Sequence, residues 1–112
     1  MDYVFEKKWQ ELLKQLSSEF GDELDLQSVL FLIGVQELGQ GYQKFKKDEK
    51  LDLMHVAICT LLETYGYYEF LGKDEEGWPH FERTSLLPSL GPSQQETLVK
   101  KAIIDYFKGD EG

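Results

Sequence analysis

The segment LDLMHVAICTLL at positions 51–62 contains the two side chains of this chain best suited to chemistry. His55 and Cys59 are four residues apart, and on a helix this spacing places an imidazole and a thiol on one face. Such a pair could share a metal ion, as two histidines with this spacing do. A catalytic thiol, however, needs access and an electropositive setting, and the neighbours of Cys59 are apolar. We therefore expect His55 to be a hydrogen-bonded interior histidine and Cys59 a buried, inert thiol.

A metal site at this pair would need further ligands, because structural zinc takes four. Glu63 lies four residues beyond Cys59, and Glu37 falls among leucines and isoleucines on the wheel of the preceding helix. If the two helices form an antiparallel pair, Glu37 could lie level with His55 and Cys59. The alternative hypothesis is thus a divalent-metal or small-molecule site between the second and third helices, built from Glu37, His55, Cys59 and Glu63. No other cofactor is indicated.

The acidic side chains of this central region have no basic neighbours in sequence. No Lys or Arg occurs between positions 22 and 43 or between positions 51 and 72. A buried carboxylate is unfavourable without a partner. If Glu37 is buried, a metal, a histidine or a cation should lie near it, and a partner must come from the first or fourth helix, from the connection after the second helix, or from Arg83. The alternative is that these acids lie on solvated faces at the edges of the helices.

A second group of candidate residues lies in the segment KDEEGWPHFER at positions 73–83. Trp78 and Phe81 are large aromatic residues among acids, a composition typical of interface residues beside a polar rim. Arg83 is the only arginine, and its planar fork can bind a carboxylate through two hydrogen bonds. We take Trp78, His80, Phe81 and Arg83 as candidate interaction residues. The alternative is that Trp78 and Phe81 only cover the end of the helical domain.

These residues must be positioned by helices, because apolar side chains recur at spacings of three and four along most of the chain. The pattern predicts helices over residues 2–20, 25–45, 49–71 and 93–108. Glycines in the second helix indicate close backbone packing, or an end or kink near Gly39. The third helix is apolar nearly all round and should lie at the centre. A capping box of Ser93 and Glu96 marks the start of the fourth.

The segment between the third and fourth helices allows two interpretations. YGYYEFL and WPHFERT could form a hairpin around GKDEEG, because aromatic residues favour strands and the glycine-bounded acidic stretch favours a turn. Alternatively, the third helix continues to Leu71 and an irregular aromatic loop follows. We favour the loop, because an isolated hairpin is only marginally stable and Pro79 cannot donate a hydrogen bond to a strand ladder.

Composition and charge limit the classes of function. The 112 residues fit one mainly α domain, a small bundle of four main helices. A net charge of −9 opposes nucleic-acid binding and favours a basic partner. A single cysteine excludes an internal disulfide, no apolar run is long enough to span a bilayer, and the N-terminal residues do not resemble a secretory signal. We therefore expect a cytoplasmic protein.

Enzyme signatures such as G-x-S-x-G and the phosphate-binding loop G-x-x-x-x-G-K-[ST] are absent from the sequence. The leading hypothesis is a non-catalytic cytoplasmic module for protein interaction or regulation, with a homodimer as an open alternative to a monomer. Metal or small-molecule binding at the residues named above is the second hypothesis. An acidic mimic of nucleic acid is the third.

Overall fold

A computed structural model describes residues 3–41 and 43–109 of the chain. It forms one compact, mainly helical domain with a small two-stranded sheet, which confirms the predicted fold class. The elements in chain order are α1 (Tyr3–Phe20), α2 (Leu26–Leu38), α3 (Lys47–Glu63), β1 (Tyr68–Lys73), β2 (Pro79–Arg83) and α4 (Pro92–Gly109). Among the described residues, none of these helices combines the length and the apolar character needed to cross a bilayer.

Helix α2 is shorter than predicted. Its start agrees, because the Asp25 carboxylate caps it by accepting a hydrogen bond from the Ser28 N–H at 2.8 Å. The predicted continuation to residue 45 is wrong, and the alternative of an end near Gly39 is confirmed, since the helix ends at Leu38. Gly39 adopts a left-handed conformation with φ of 72°, and its N–H donates to the Val35 carbonyl oxygen, a common helix ending.

Helix α3 also ends earlier than predicted. It begins at Lys47. The N–H of the preceding residue, Lys46, donates to Glu49 Oε1 at 2.8 Å, which caps the start of the helix. The predicted extension to Leu71 is wrong, because the helix ends at Glu63 and the Thr64 hydroxyl donates to the Leu61 carbonyl oxygen. Gly66 then takes a φ of 80°, which turns the chain away from the helix axis.

Strands β1 and β2 form an antiparallel hairpin, so the favoured loop between α3 and α4 is wrong and the alternative hairpin is right. The hairpin is not isolated, because both strands pack on α3. Pro79 lies at the first residue of β2, where a missing N–H is tolerated. Leu71 is an extra residue between the Phe70–Phe81 and Gly72–His80 pairs, that is, a β-bulge.

Helix α4 has nearly the predicted bounds but a different cap. Pro92 occupies the first helical position, which suits its fixed φ and missing N–H. Gln94 is then two residues further along, and its Oε1 accepts a hydrogen bond from the Gly91 N–H at 3.1 Å. The predicted capping box of Ser93 and Glu96 is therefore wrong in register, and Glu96 instead pairs with Lys100 at 3.4 Å.

Helix α3 is central, as predicted, because it contacts α2, α4 and both strands. The α2–α3 contact depends on Gly34, which is buried against the backbone of Leu53. A Cβ at position 34 would overlap the Leu53 carbonyl oxygen, so only glycine allows this approach. The interior glycine that weakens α2 as an isolated helix is thus required for its packing.

We expect Gly34→Ala to lower the free energy of unfolding. Alanine favours a helix over glycine by about 1 kcal/mol. Overpacking against a rigid backbone carbonyl costs about 1–3 kcal/mol or more, so we expect it to outweigh the gain in helix propensity. Urea unfolding followed by circular dichroism measures the difference. Gln27→Ala is the control, because Gln27 is exposed on the same helix and its side chain makes no hydrogen bond or ion pair with the described residues. Equal stability of the two variants would contradict the close α2–α3 contact.

Candidate functional site

His55 and Cys59 lie on α3 as predicted, with His55 Nε2 3.4 Å from Cys59 Sγ. Cys59 is buried, with 1% of its surface exposed, which confirms the expected interior thiol. His55 is exposed, so the expectation of an interior histidine is wrong. The contact therefore joins a surface imidazole to a core sulfur one helical turn further on.

The surroundings of Cys59 make it a poor nucleophile. Burial raises the pKa of the Cys59 thiol from 9.0 to about 11, because the charged thiolate loses its hydration. The thiol form therefore dominates at neutral pH, and a neutral thiol is neither a strong nucleophile nor a metal ligand.

Glu37 finds its partner on α4. Its carboxylate is half-buried and accepts a hydrogen bond from the Tyr106 hydroxyl at 2.9 Å. The same hydroxyl accepts a hydrogen bond from Gln36 Nε2 at 3.0 Å. Of the predicted sources of a partner, which were the first helix, the fourth helix, the connection after α2 and Arg83, the fourth helix provides it. This partner is a tyrosine, rather than a metal, a histidine or a cation.

The predicted metal ligands are therefore not assembled into one site. Glu63 is exposed at the end of α3, and Glu37 is directed to α4. In the described part of the chain, no three His, Cys, Asp or Glu side chains form a group that could hold a metal ion. Of the four candidates, the structure joins His55 and Cys59 only.

The hairpin turn is organised by Asp74. Its Oδ1 accepts hydrogen bonds from the backbone N–H groups of Glu76 at 2.9 Å and Trp78 at 3.0 Å. Its Oδ2 lies 2.9 Å from His80 Nε2. The His80 contact and these backbone donors hold the pKa of the Asp74 carboxyl below its usual value of 3.8. His80, a predicted interaction residue, thus has a partner within the hairpin.

Trp78 fixes the hairpin tip to the helices. Its half-buried ring packs against a small core cluster formed by Leu38, Phe45 and Leu53. Gln40, just after α2, adds a hydrogen bond from its Nε2 to the Glu76 carbonyl oxygen at 2.6 Å. Trp78 therefore follows the structural alternative considered for it, in which the ring covers part of the helical domain.

The exposed apolar surface of the hairpin lies mainly on β1. Phe70 is 47% exposed and Leu71 is 59% exposed. The Phe70 ring packs against half-buried Phe81, with 5.6 Å between ring centroids. Sequence reasoning identified Phe81 but missed Phe70 and Leu71. The strand register would have revealed them, but the sequence interpretation had assigned both to helix.

Two acids face each other across the strands. Glu69 pairs directly with Glu82, and both side chains are exposed. Neither forms an ion pair within residues 3–41 and 43–109. Like charges in this position destabilise a hairpin, typically by a few tenths of a kcal/mol or more. Because successive residues alternate faces, the pair lies on the face opposite to Phe70 and Phe81.

Arg83 ends β2, opposite Tyr68, and its side chain is exposed. Its guanidinium forms no ion pair or hydrogen bond with any described residue. The four predicted interaction residues therefore have different roles: Trp78 holds the tip, His80 closes the turn, and Phe81 supports Phe70. The Arg83 guanidinium has no partner among residues 3–41 and 43–109.

Comparison with known protein families, with curated proteins and with solved structures finds no match for this chain.

We expect Asp74→Ala to loosen the hairpin, because two backbone N–H groups and the His80 ring lose their acceptor. Hydrogen exchange should accelerate at the β1 and β2 amides and remain unchanged in α1. Glu75→Ala is the matched control, since the Glu75 side chain makes no hydrogen bond or ion pair with the described residues. Equal exchange in both variants would contradict the role of Asp74.

Lowering the pH should loosen the same hairpin turn. A carboxyl group whose pKa is lowered by folding stabilises the fold fully at pH values above its pKa in the unfolded state. This contribution is lost as the pH falls through the pKa of the folded state. The protection factors of the hairpin amides, which correct for the slower intrinsic exchange in acid, should therefore fall below about pH 3.8 in the wild type, whereas Asp74→Ala should lack this component. An identical acid response in both proteins would assign the effect to other groups.

We expect Cys59 to resist alkylation in the native protein. With a pKa of about 11, only about one thiol in a thousand is ionised at pH 8, and the sulfur is buried. Iodoacetamide labelling followed by mass spectrometry should be slow without denaturant and rapid in urea. Native labelling as fast as that of the unfolded chain would show that Cys59 is accessible.

Proposed function

We propose that this protein is a non-catalytic cytoplasmic interaction module that binds a basic partner through its hairpin. The proposed hairpin surface follows the exposed edge of β1: Glu69 and Glu82 lie on one face of the hairpin, Phe70 lies on the other, and Leu71 is the bulge residue beside Phe70. The single observation that carries the proposal is the Glu69–Glu82 pair, a like-charge pair that the fold leaves uncompensated on the face opposite to the exposed Phe70.

The apolar part of this surface is suited to contact with another protein. Phe70 and Leu71 are consecutive, large and exposed, and Phe81 supports the Phe70 ring from β2. Contiguous apolar side chains surrounded by polar ones are typical of interaction sites. Trp78 and the Asp74 turn hold the hairpin in place before binding, which reduces the entropy lost on association.

The charge of the hairpin selects the partner. Residues 68–83 contain five carboxylates against one lysine and one arginine. A partner strand alongside β1 that alternates basic and apolar residues would place Lys or Arg against the opposed glutamates on one face and apolar side chains against Phe70 on the other. A second copy of this chain would bring two acidic hairpins together, so a homodimer would have to use another surface.

The remaining side chains support binding rather than catalysis. The Cys59 thiol is buried, with its pKa raised to about 11, and the Glu37 carboxylate is engaged by Tyr106. The Cys59 thiol is thus held in its unreactive form, and the Glu37 carboxylate is part of a contact between helices.

The double variant Glu69→Gln with Glu82→Gln tests the proposal. Without a partner it should be slightly more stable than the wild type, by about 0.2–1 kcal/mol, because the cross-strand repulsion is removed. Its affinity for a short peptide alternating lysine and valine should fall several-fold, because each exposed ion pair contributes up to about 1 kcal/mol. Thermal unfolding and fluorescence anisotropy measure the two effects.

Matched controls separate surface chemistry from total charge. Asp22→Asn with Glu23→Gln removes two charges from the connection between α1 and α2 and should leave peptide affinity nearly unchanged. Phe70→Ser should weaken the wild-type complex, and a peptide with glutamate in place of lysine should not bind. Equal loss of affinity in both double variants would show that net charge alone determines peptide binding, and this would contradict a specific hairpin surface.

A further inference from the structure

A separate cavity lies behind the base of the hairpin. It has a volume of about 390 Å³ and is enclosed by α3, the end of β2, the segment at 87–90 and the first turns of α4. This volume falls within the range of about 300–1,000 Å³ typical of small-molecule sites. Its walls combine the apolar residues Ile58, Leu62, Leu98 and Val99 with the polar residues Arg83 and Gln95.

The charge of this cavity is unusual for the protein. The chain has 21 acidic residues and only one arginine, yet Arg83 lines this cavity and no Asp or Glu does. Two larger cavities along α1 each include three carboxylates in their linings, and a third larger cavity, beside the start of α2, includes Asp22 and Lys50. The guanidinium makes no ion pair or hydrogen bond with any residue that the structure describes. Its five N–H donors are therefore available to a ligand.

The walls around Arg83 are held by hydrogen bonds. Just after Arg83, the Thr84 N–H donates to the Tyr67 carbonyl oxygen at 3.0 Å, and the Thr84 hydroxyl donates to the Gly66 carbonyl oxygen at 2.7 Å. On the opposite wall, Gln95 Nε2 donates to the Leu90 carbonyl oxygen at 3.0 Å. The backbone that carries the guanidinium is therefore fixed without any contact to the guanidinium itself.

We propose that this cavity binds a small monocarboxylate with an apolar chain or ring, the carboxylate pairing with Arg83 and the apolar part contacting Ile58, Leu62, Leu98 and Val99. A guanidinium presents two parallel N–H donors to the two oxygens of a carboxylate. The cavity wall has one such group and is otherwise neutral, so one anionic group satisfies it. The site is distinct from the surface of Glu69, Phe70, Leu71 and Glu82 proposed for a protein partner.

Two sources share this chemistry, a free carboxylic acid and the terminal carboxylate of an apolar amino acid. The probes are 4-phenylbutanoate for the first and N-acetyl-leucine for the second. 4-Phenylbutanamide is the neutral control, because it keeps the ring and chain but lacks the charge. Inorganic phosphate tests whether any small anion suffices.

Methyl NMR spectra of the full chain provide the readout. Titration with a carboxylate probe that binds, 4-phenylbutanoate or N-acetyl-leucine, should shift the methyl resonances of Leu98 and Val99 with a saturable profile. The methyl resonances of Leu16, on α1, should remain unchanged. The probe that binds more tightly identifies the source. The amide should bind at least tenfold more weakly, which corresponds to about 1.4 kcal/mol. Equal binding of acid and amide, or equal binding of phosphate, would overturn the proposal.

Substitutions at Arg83 test the guanidinium itself. Arg83→Gln should weaken the better probe at least tenfold, and Arg83→Lys should weaken it less because charge is kept while the planar fork is lost. Lys73→Gln, which removes the other cation of the hairpin, should have no effect. Circular dichroism confirms that each variant is folded. Unchanged affinity in folded Arg83→Gln, or equal loss in Lys73→Gln, would overturn the assignment.

Discussion

The close approach of α2 and α3 at Gly34 and Leu53 is the constraint on which the other contacts depend. With the Leu53 carbonyl against the α2 backbone, α3 becomes the centre of the domain and has its remaining sides free for α4 and the hairpin. The contact also explains why α2 tolerates a glycine in its interior. Helix propensity is lost locally, and tight packing between two helices more than offsets that loss.

The polar side chains in and next to these central helices find their hydrogen-bond partners on α4, far away in the sequence. Glu37 and Gln36 on α2 both bond to the Tyr106 hydroxyl of α4, and the Tyr65 hydroxyl after α3 donates to Asp105 at 2.9 Å. Burial, with Asp105 adding to the effect, raises the pKa of Tyr65 to about 12, so this hydroxyl remains a donor. Helix α4 therefore contributes hydrogen bonds as well as apolar area.

The hairpin carries two surfaces with different chemistry, and both its tip and its base are fixed. Trp78 and Asp74 fix the tip, and Thr84 fixes the base. Between these points, Phe70, Leu71 and the opposed glutamates remain exposed, whereas Arg83 at the base faces a cavity without acids. An acidic surface for a basic partner and a cationic cavity for a small acid can therefore coexist in one element.

Local sequence determined that the chain forms four helices and, closely, where α1 and α4 begin and end, because helical periodicity depends on residues three and four positions apart. The apolar run around Cys59 likewise indicated its burial. It could not decide between helix and strand for YGYYEFL, whose aromatic residues suit either. Packing on α3 and the Asp74 turn stabilise the hairpin, which would be marginal alone. The Tyr106 partner of Glu37, the exposure of His55 and the cavity at Arg83 were likewise decided only by tertiary structure, since each depends on which distant element covers the side chain.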